Sequence, residues 1–345
     1  MRKNDLNFIY RKITSGEGER CMKRILIIIV TIFLLLAGCA PSSSSVSVDE
    51  SAESKETMKI GYLPITHAAP LLLAAEKVAK EHPEYELELV KFSSWPDLID
   101  ALNAGQIDGA SLLLQLAMQA KHIGVDLTAI ALGHQDGNVI ISRPEITSVS
   151  QLKGETFAIP HTHSAHHLLV YELLTSEGID YEAVNLVEMP PAEMPAALAE
   201  GRIAGYAVAE PFGALALQLE VGHVLAHSSE FWPNSYCCVF VLRDEIIQER
   251  KELALTFTQD YIKAGLLANE KDESLYEALQ AHMDVDEALL DISLEWITYD
   301  ALRIEEEEYR KLLDRVTTLQ LIDEPPSYDQ FVHPTIFDQA VKKHE

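Results

Sequence analysis

The densest group of chemistry-bearing side chains is His161-Thr-His163-Ser164-Ala-His166-His167, four histidines in seven residues. A neutral imidazole is a transition-metal ligand, and a protonated one is a charged hydrogen-bond donor. Ser164 stands where a helix would be capped, which leaves His163 just outside it and His166 and His167 in its first turn. First-turn N–H groups and the Ser164 hydroxyl suit a carboxylate, sulfonate or similar group. His161, His163, Ser164 and His166 are therefore ligand-binding candidates. Metal coordination needs three or four converging ligands. No cysteine or partner motif lies near in sequence, so no metal site is assigned, although Glu210 or His67 would be the groups to approach in the fold.

The other candidates occupy comparable turns. Thr66 and His67 follow the first expected strand, at a helix start whose free amides suit a polar ligand or simply receive a cap. Tyr62 ends that strand and has a face to stack on a planar solute, or to pack in the core. Trp95, between Ser94 and Pro96, is a stacking wall at the next strand-to-helix turn or a core residue. Gln135 and Asn138 flank Gly137 and offer both donors and acceptors, with turn formation as the plainer role for Asn138. Glu210 in a cleft would face an amine, amide or hydroxyl and argues against a bare anion, unless it serves as a salt bridge between lobes. His223 and His227 lack a helper motif and read as surface residues. Cys237 and Cys238 would point to opposite faces of a strand, and their apolar surroundings favour two small buried residues with neither disulfide nor metal spacing. No cofactor is expected.

These turns belong to alternating strand and helix signals. Strands are expected at 58–62, 87–91, 109–113, 127–132 and 139–142, with helices from about 69 to 81 and from Ser94 to Gly105. A second series follows Arg143-Pro144: strands at 156–159, 184–188 and 205–208, with helices from Ser164 and from Met194. After 237–242 the chain is almost wholly helical. The fold class is α/β, two lobes of parallel sheet joined by a two-crossing hinge. The expected division is 58–142 plus 239–345 for one lobe and 143–238 for the other, with hinge segments near 142–146 and 236–242.

The N-terminal region carries an address. Met22-Lys-Arg24 precedes an apolar run from Ile25 to Leu36 that is short for a membrane span, and Leu36-Ala-Gly-Cys39 follows. That order resembles a bacterial lipobox, which implies export, cleavage before Cys39 and a lipid on its sulfur. Residues 1–39 are thus expected to be a signal segment, with Met22 the expected start and 1–21 upstream of it. Residues 40–57 are a polar tether. The chain carries a net charge of −27, and the part from Cys39 onward about −31. Such a field excludes nucleic acid and anionic headgroups as partners.

Lys59-Ile-Gly-Tyr-Leu-Pro64, Leu102-Asn-Ala-Gly-Gln-Ile-Asp-Gly109, Ser150-Gln-Leu-Lys-Gly154 and Ala209-Glu-Pro211 occur in an order that resembles the substrate-binding proteins of ABC importers for nitrate, bicarbonate, sulfonates, taurine and thiamine-precursor pyrimidines. The resemblance covers about residues 57–245. It implies the type II periplasmic-binding fold and capture of a small polar or anionic solute for a permease and ATPase, by a monomer tethered to the outer face of the cell membrane. Residues 190–212 and Phe231-Trp-Pro-Asn234 look most like the nitrate and bicarbonate branch, and the Ser164–Leu169 turn like the sulfonate branch. Ser235-Tyr-Cys-Cys238 stands where nitrate-type members carry an anion-facing lysine. Alternatives are a metal-binding or ligand-sensing lipoprotein, or an enzyme like the related pyrimidine synthase that consumes its own histidine. No nucleophile–His–Asp arrangement, phosphate loop or HExxH motif appears, so a binder is expected rather than an enzyme.

Overall fold

The computed structural model describes residues 55–82 and 85–342. The signal segment, Cys39 and most of the tether lie outside the described residues. In chain order the strands of the first half are β1 (Glu56–Tyr62), β2 (Tyr85–Lys91), β3 (Gly109–Leu113), β4 (Leu127–Leu132), the two-residue β5 (Gln135–Asp136) and β6 (Asn138–Ser142). They are followed by β7 (Thr156–Ile159), β8 (Asn185–Glu188), β9 (Gly205–Ala209), β10 (His223–His227), β11 (Cys238–Arg243) and the short β12 (Ile297–Thr298). The helices nearest the site are α1 (Ala69–Leu73), α2 (Trp95–Asn103), α3 (Leu114–His122), α4 (Ala165–Ser176), α5 (Met194–Ala199) and α6 (Phe212–Gln218).

Two five-stranded sheets result, one of order β2-β1-β3-β11-β4 and one of order β10-β6-β9-β7-β8. In the first, β1 runs parallel to β2 and β3, while β11 is antiparallel to β3 and β4. In the second, β7 is parallel to β8 and β9, while β6 is antiparallel to β9 and β10. The strand that enters each sheet straight from a crossing, β6 or β11, is thus antiparallel. It begins at the edge where the parallel strands end, the edge at which α/β sheets place ligands. β3, β6 and β9 are buried along their whole length, as expected of strands covered on both faces.

The first sheet and the C-terminal helices share one large core, while the second sheet has a smaller cluster on each face. Ala165, Leu168, Leu169 and Ala209 belong to the second sheet's lobe but pack into the large core, so the two lobes meet over apolar contacts.

Several expectations are corrected. The strand Asn138–Ser142, assigned to the first lobe, lies in the second sheet, paired with β9. The first crossing therefore falls at residues 133–137 and not at 142–146, and the second ends at Cys237, where β11 takes up the first sheet. The helix expected from 69 to 81 is α-helical only to Leu73 and continues as a π turn (Ala74–Val78) and a 3-10 turn (Ala79–Glu81). His223 and His227 are half-buried on β10 instead of lying on the surface, His223 within 3.4 Å of the Ser142 hydroxyl and His227 against Trp296. The crossings are tied to each other and to the C-terminal part. The Asp136 carboxylate accepts from the Ser235 amide at 3.1 Å, and β12 pairs with β5.

Candidate ligand site at the crossings

His67 lies in a fully buried 3-10 turn, Thr66–Ala68, beyond the C-terminal end of β1. His134 follows β4 by two residues, and Cys237 and Cys238 stand at the start of β11. Because β11 is antiparallel between β3 and β4, its first residues lie beside their last ones, with Cys238 opposite Leu113 and Val239 opposite Leu132. Four side chains from remote parts of the sequence thereby reach one point. The ligating atoms of His67, His134, Cys237 and Cys238 all lie within 4.8 Å of one another, and all four residues are buried.

The backbone fixes these groups while leaving their side chains available. The Cys237 and Cys238 carbonyls accept from the Leu114 amide at 2.8 Å and the Gly133 amide at 2.9 Å. A Cβ at Gly133 would stand 2.7 Å from the His67 carbonyl, so only glycine lets the two turns approach. His67 Nε2 lies 3.1 Å from the Gly137 carbonyl, which makes it the protonated nitrogen and leaves Nδ1 as the acceptor, 3.5 Å from Cys238 Sγ. The two sulfurs are 3.9 Å apart and both cysteines are free. The His67 and His134 rings lie 3.5 Å apart, and neither ring nitrogen of His134 makes a hydrogen bond of normal geometry, though the Cys237 thiol and the Asp136 backbone lie close.

The second lobe contributes a further group of buried polar side chains. His166, in the first turn of α4, lies parallel to His67 with ring centroids 6.5 Å apart, and neither of its nitrogens is partnered. Asn138 begins β6 opposite Ala209 with both amide atoms unpartnered, and Glu210 follows β9 directly. One Glu210 carboxyl oxygen accepts from the Ala214 amide at 2.8 Å and the other has no partner, while its backbone carbonyl accepts from the Thr66 amide at 2.9 Å. Burial pushes the Glu210 carboxyl up to about 8, so it is protonated and neutral at pH 7. Burial, with the nearby His67, lowers His134 to about 4; burial likewise lowers His166 to about 4. Cys237 is the more acidic thiol: burial opposes its ionisation, but the Cys238 hydrogen bond and the surrounding imidazoles outweigh that and bring it well below its usual value. Cys238, buried beside it, is pushed well above.

Of the residues singled out from sequence, the structure brings His67 and His166 to this point and sets Thr66, Asn138 and Glu210 around it. The rest of the histidine-rich turn is otherwise engaged. Ser164 caps α4, accepting from the His167 amide at 3.2 Å and donating to the His161 carbonyl at 2.6 Å, so its hydroxyl is already used. His163 Nε2 donates to the Leu321 carbonyl at 2.9 Å. His167 Nδ1 donates to the Thr162 carbonyl and its Nε2 accepts from the Tyr181 hydroxyl. His161 is half-buried, 4.0 Å from the Glu188 carboxylate. Tyr62 packs edge-on to His282 with its hydroxyl 3.3 Å from Nδ1. Trp95 is buried in the large core. Gln135 is half-buried on β5. His134, Cys237 and Cys238 were missed. Strand alternation does not separate the cysteines because only Cys238 lies in β11 and Cys237 precedes it; the doublet at a strand entry was the available signal. Their spacing in sequence carries no metal signal, because the four residues converge only in space. Beside the site, a cavity of about 340 Å³ opens between Leu63–Ile65, Phe92, Pro191 and Phe212.

The NMT1-like family model matches residues 51–281. A solved structure of the ligand-binding component of an ABC-type import system from Staphylococcus aureus, with zinc bound, is 43% identical, with a TM-score of 0.80 over 83% of this chain and 99% of that one. The periplasmic nitrate-binding protein NrtA from Synechocystis is 18% identical, with a TM-score of 0.77 over 85% of this chain and 90% of its own, a likeness of fold. The nitrate import ATP-binding protein NrtC of Synechocystis is 26% identical over 61% of this chain and 34% of its own length. The chain thus spans about a third of the length of the curated relatives it matches first. Among the described residues, no helix is long and apolar enough to cross a membrane.

Proposed function

We propose, from the premise that the chain belongs to the NMT1-like family, that it is the solute-capturing component of an ABC importer, working outside the cytoplasm on a lipid attached to Cys39. The observation that carries this reading is the set of buried, partnerless polar side chains that both lobes contribute where the crossings meet: His134 from the first, Asn138, His166 and Glu210 from the second. Each such group costs about 1–3 kcal/mol when left unbonded, so a solute that bonds them stabilises the closed arrangement. The residues at 133–137 and 228–237 are the hinge, and the protein presents its solute as a monomer to a permease and its ATPase. The relatives named above are binding and import proteins, which supports a binder over an enzyme.

Among the described residues no lysine or arginine is buried, and Glu210 is neutral. The site therefore suits a solute that is neutral, zwitterionic or cationic better than bare nitrate. A second reading, metal capture, is favoured by the zinc in the Staphylococcus aureus component. The test is a thermal-shift screen of the detergent-extracted full chain against taurine, alkanesulfonates, nitrate, bicarbonate, aminopyrimidines and Zn²⁺, with mass spectrometry of the recovered solute. A solute at a hundred times its dissociation constant adds about 2.7 kcal/mol of stability. The expected result is a raised Tm with the solute recovered unchanged. No shift with any solute, or a chemically altered one, overturns the reading.

A further inference from the structure

We propose that His67, His134, Cys237 and Cys238 form a binding site for one thiophilic divalent metal ion, Zn²⁺ above all. The proposal deepens the capture reading and rests on it only for the ion's role as cargo.

The distances carry it. With Zn–S about 2.3 Å and Zn–N about 2.0–2.1 Å, the edges of a coordination tetrahedron are about 3.8 Å between sulfurs and about 3.5 Å between sulfur and nitrogen. The sulfurs of Cys237 and Cys238 stand 3.9 Å apart, and His67 Nδ1 lies 3.5 Å from Cys238 Sγ. Two edges of the polyhedron are already in place. His67 is also oriented as a ligand should be, its other nitrogen bonded to the Gly137 carbonyl, the usual way a protein fixes the tautomer of a metal-bound histidine.

Chemistry and charge agree with the geometry. His134, buried with neither nitrogen in a hydrogen bond of normal geometry, faces the Cys237 thiol and is free to turn a lone pair to an ion. Two histidines and two cysteines are a zinc set, and thiolates discriminate against Ca²⁺ and Mg²⁺. A divalent ion displaces a proton from each thiol, so Zn²⁺ with two thiolates and two neutral imidazoles has no net charge. That resolves how acidic groups ionise where no lysine or arginine is buried. All four ligands come from the first lobe and the crossings. His166 is the second lobe's nearest imidazole, 6.5 Å from His67 between ring centroids, and faces the occupied site from across the cleft.

The detergent-solubilised full chain, stripped with a chelator, is titrated with Zn²⁺ by calorimetry and with Co²⁺ by absorption spectroscopy. The expected result is one ion per chain and a thiolate-to-cobalt charge-transfer band with the intense visible bands of tetrahedral Co²⁺. Cys237→Ser and Cys238→Ser should each weaken Zn²⁺ binding at least a hundredfold and diminish the charge-transfer band, while His163→Ala changes neither. Circular dichroism melts confirm that each variant is folded; should either serine variant fail to fold, His134→Ala must weaken binding likewise. A cobalt complex without thiolate bands, or a Cys237→Ser/Cys238→Ser protein that still binds one Zn²⁺ equally well, overturns the site. In that event an organic solute that still raises the Tm leaves the capture reading standing. Zn²⁺ binding as expected, with no Zn²⁺-dependent stimulation of the cognate importer's ATPase, removes the cargo role and keeps the site.

Discussion

Two turns of this protein hold conspicuous histidines, and they differ in what surrounds them. The His161–His167 turn has four in seven residues, yet three of those rings lie on partners the protein supplies: His163 on the Leu321 carbonyl, His167 between Thr162 and Tyr181, His161 near Glu188. The Thr66–His67 turn has one histidine, yet it meets His134, Cys237 and Cys238 in a buried cluster where neither ring nitrogen of His134 makes a hydrogen bond of normal geometry. Density along the chain therefore measures little. A ligand site is marked by buried polar atoms whose partners are missing, because only an occupant repays their desolvation.

The largest effect that tests this contrast is on affinity. His134→Ala should weaken Zn²⁺ binding by at least a hundredfold, about 2.7 kcal/mol, while His161→Ala leaves it within twofold; competition against a colorimetric chelator reads both. Equal losses in the two variants would erase the distinction between the turns.

Next comes the pH dependence of stability. Glu210 is raised in the folded protein to about 8, against about 4.3 when unfolded, so the folded state holds the extra proton between those values. Stability should be fully present below about pH 4.3 and be lost progressively as pH rises through 8. Glu210→Gln should flatten that part of the Tm profile. An unchanged slope would mean that the carboxyl is solvated.

A smaller effect separates function from stability at His166. His166→Ala removes a buried imidazole with no partner, so the ligand-free protein should melt no lower than about 1 kcal/mol below the parent, while solute affinity falls about tenfold. The mirror image is Tyr181→Phe, which strips His167 of its partner and should cost about 1 kcal/mol in a urea melt with affinity untouched. If Tyr181→Phe alters affinity as much as His166→Ala, the whole histidine turn belongs to the site.

Much of this was legible in the residues. The strand and helix series gave the two α/β lobes, Ser164 caps the helix it was expected to cap, and His67 and His166 were picked out by their places at strand-to-helix turns. The allocation of Asn138–Ser142 was not legible. Asn-Val-Ile-Ile-Ser is buried on both faces and would suit either sheet; only its antiparallel pairing with β9 decides. Trp95 illustrates the opposite error, since a large aromatic at a turn serves a core as readily as a cleft. The convergence of His134 with Cys237 and Cys238 was hidden because β11 leaves the chain's sequential order to lie between β3 and β4.

The span of the site has a consequence for how the protein is made. His67 and Cys238 are 171 residues apart. Bringing the ends of so long a loop together costs about 4.5 kcal/mol in chain entropy beyond a constant, and the ladder of β12 with β5 adds a contact between Ile297 and Asp136. In a zinc finger the ligands are close neighbours and the metal organises the chain; here the chain must organise the ligands first. A newly made molecule therefore completes its fold before it gains a site worth filling, and it samples its surroundings only as a finished protein.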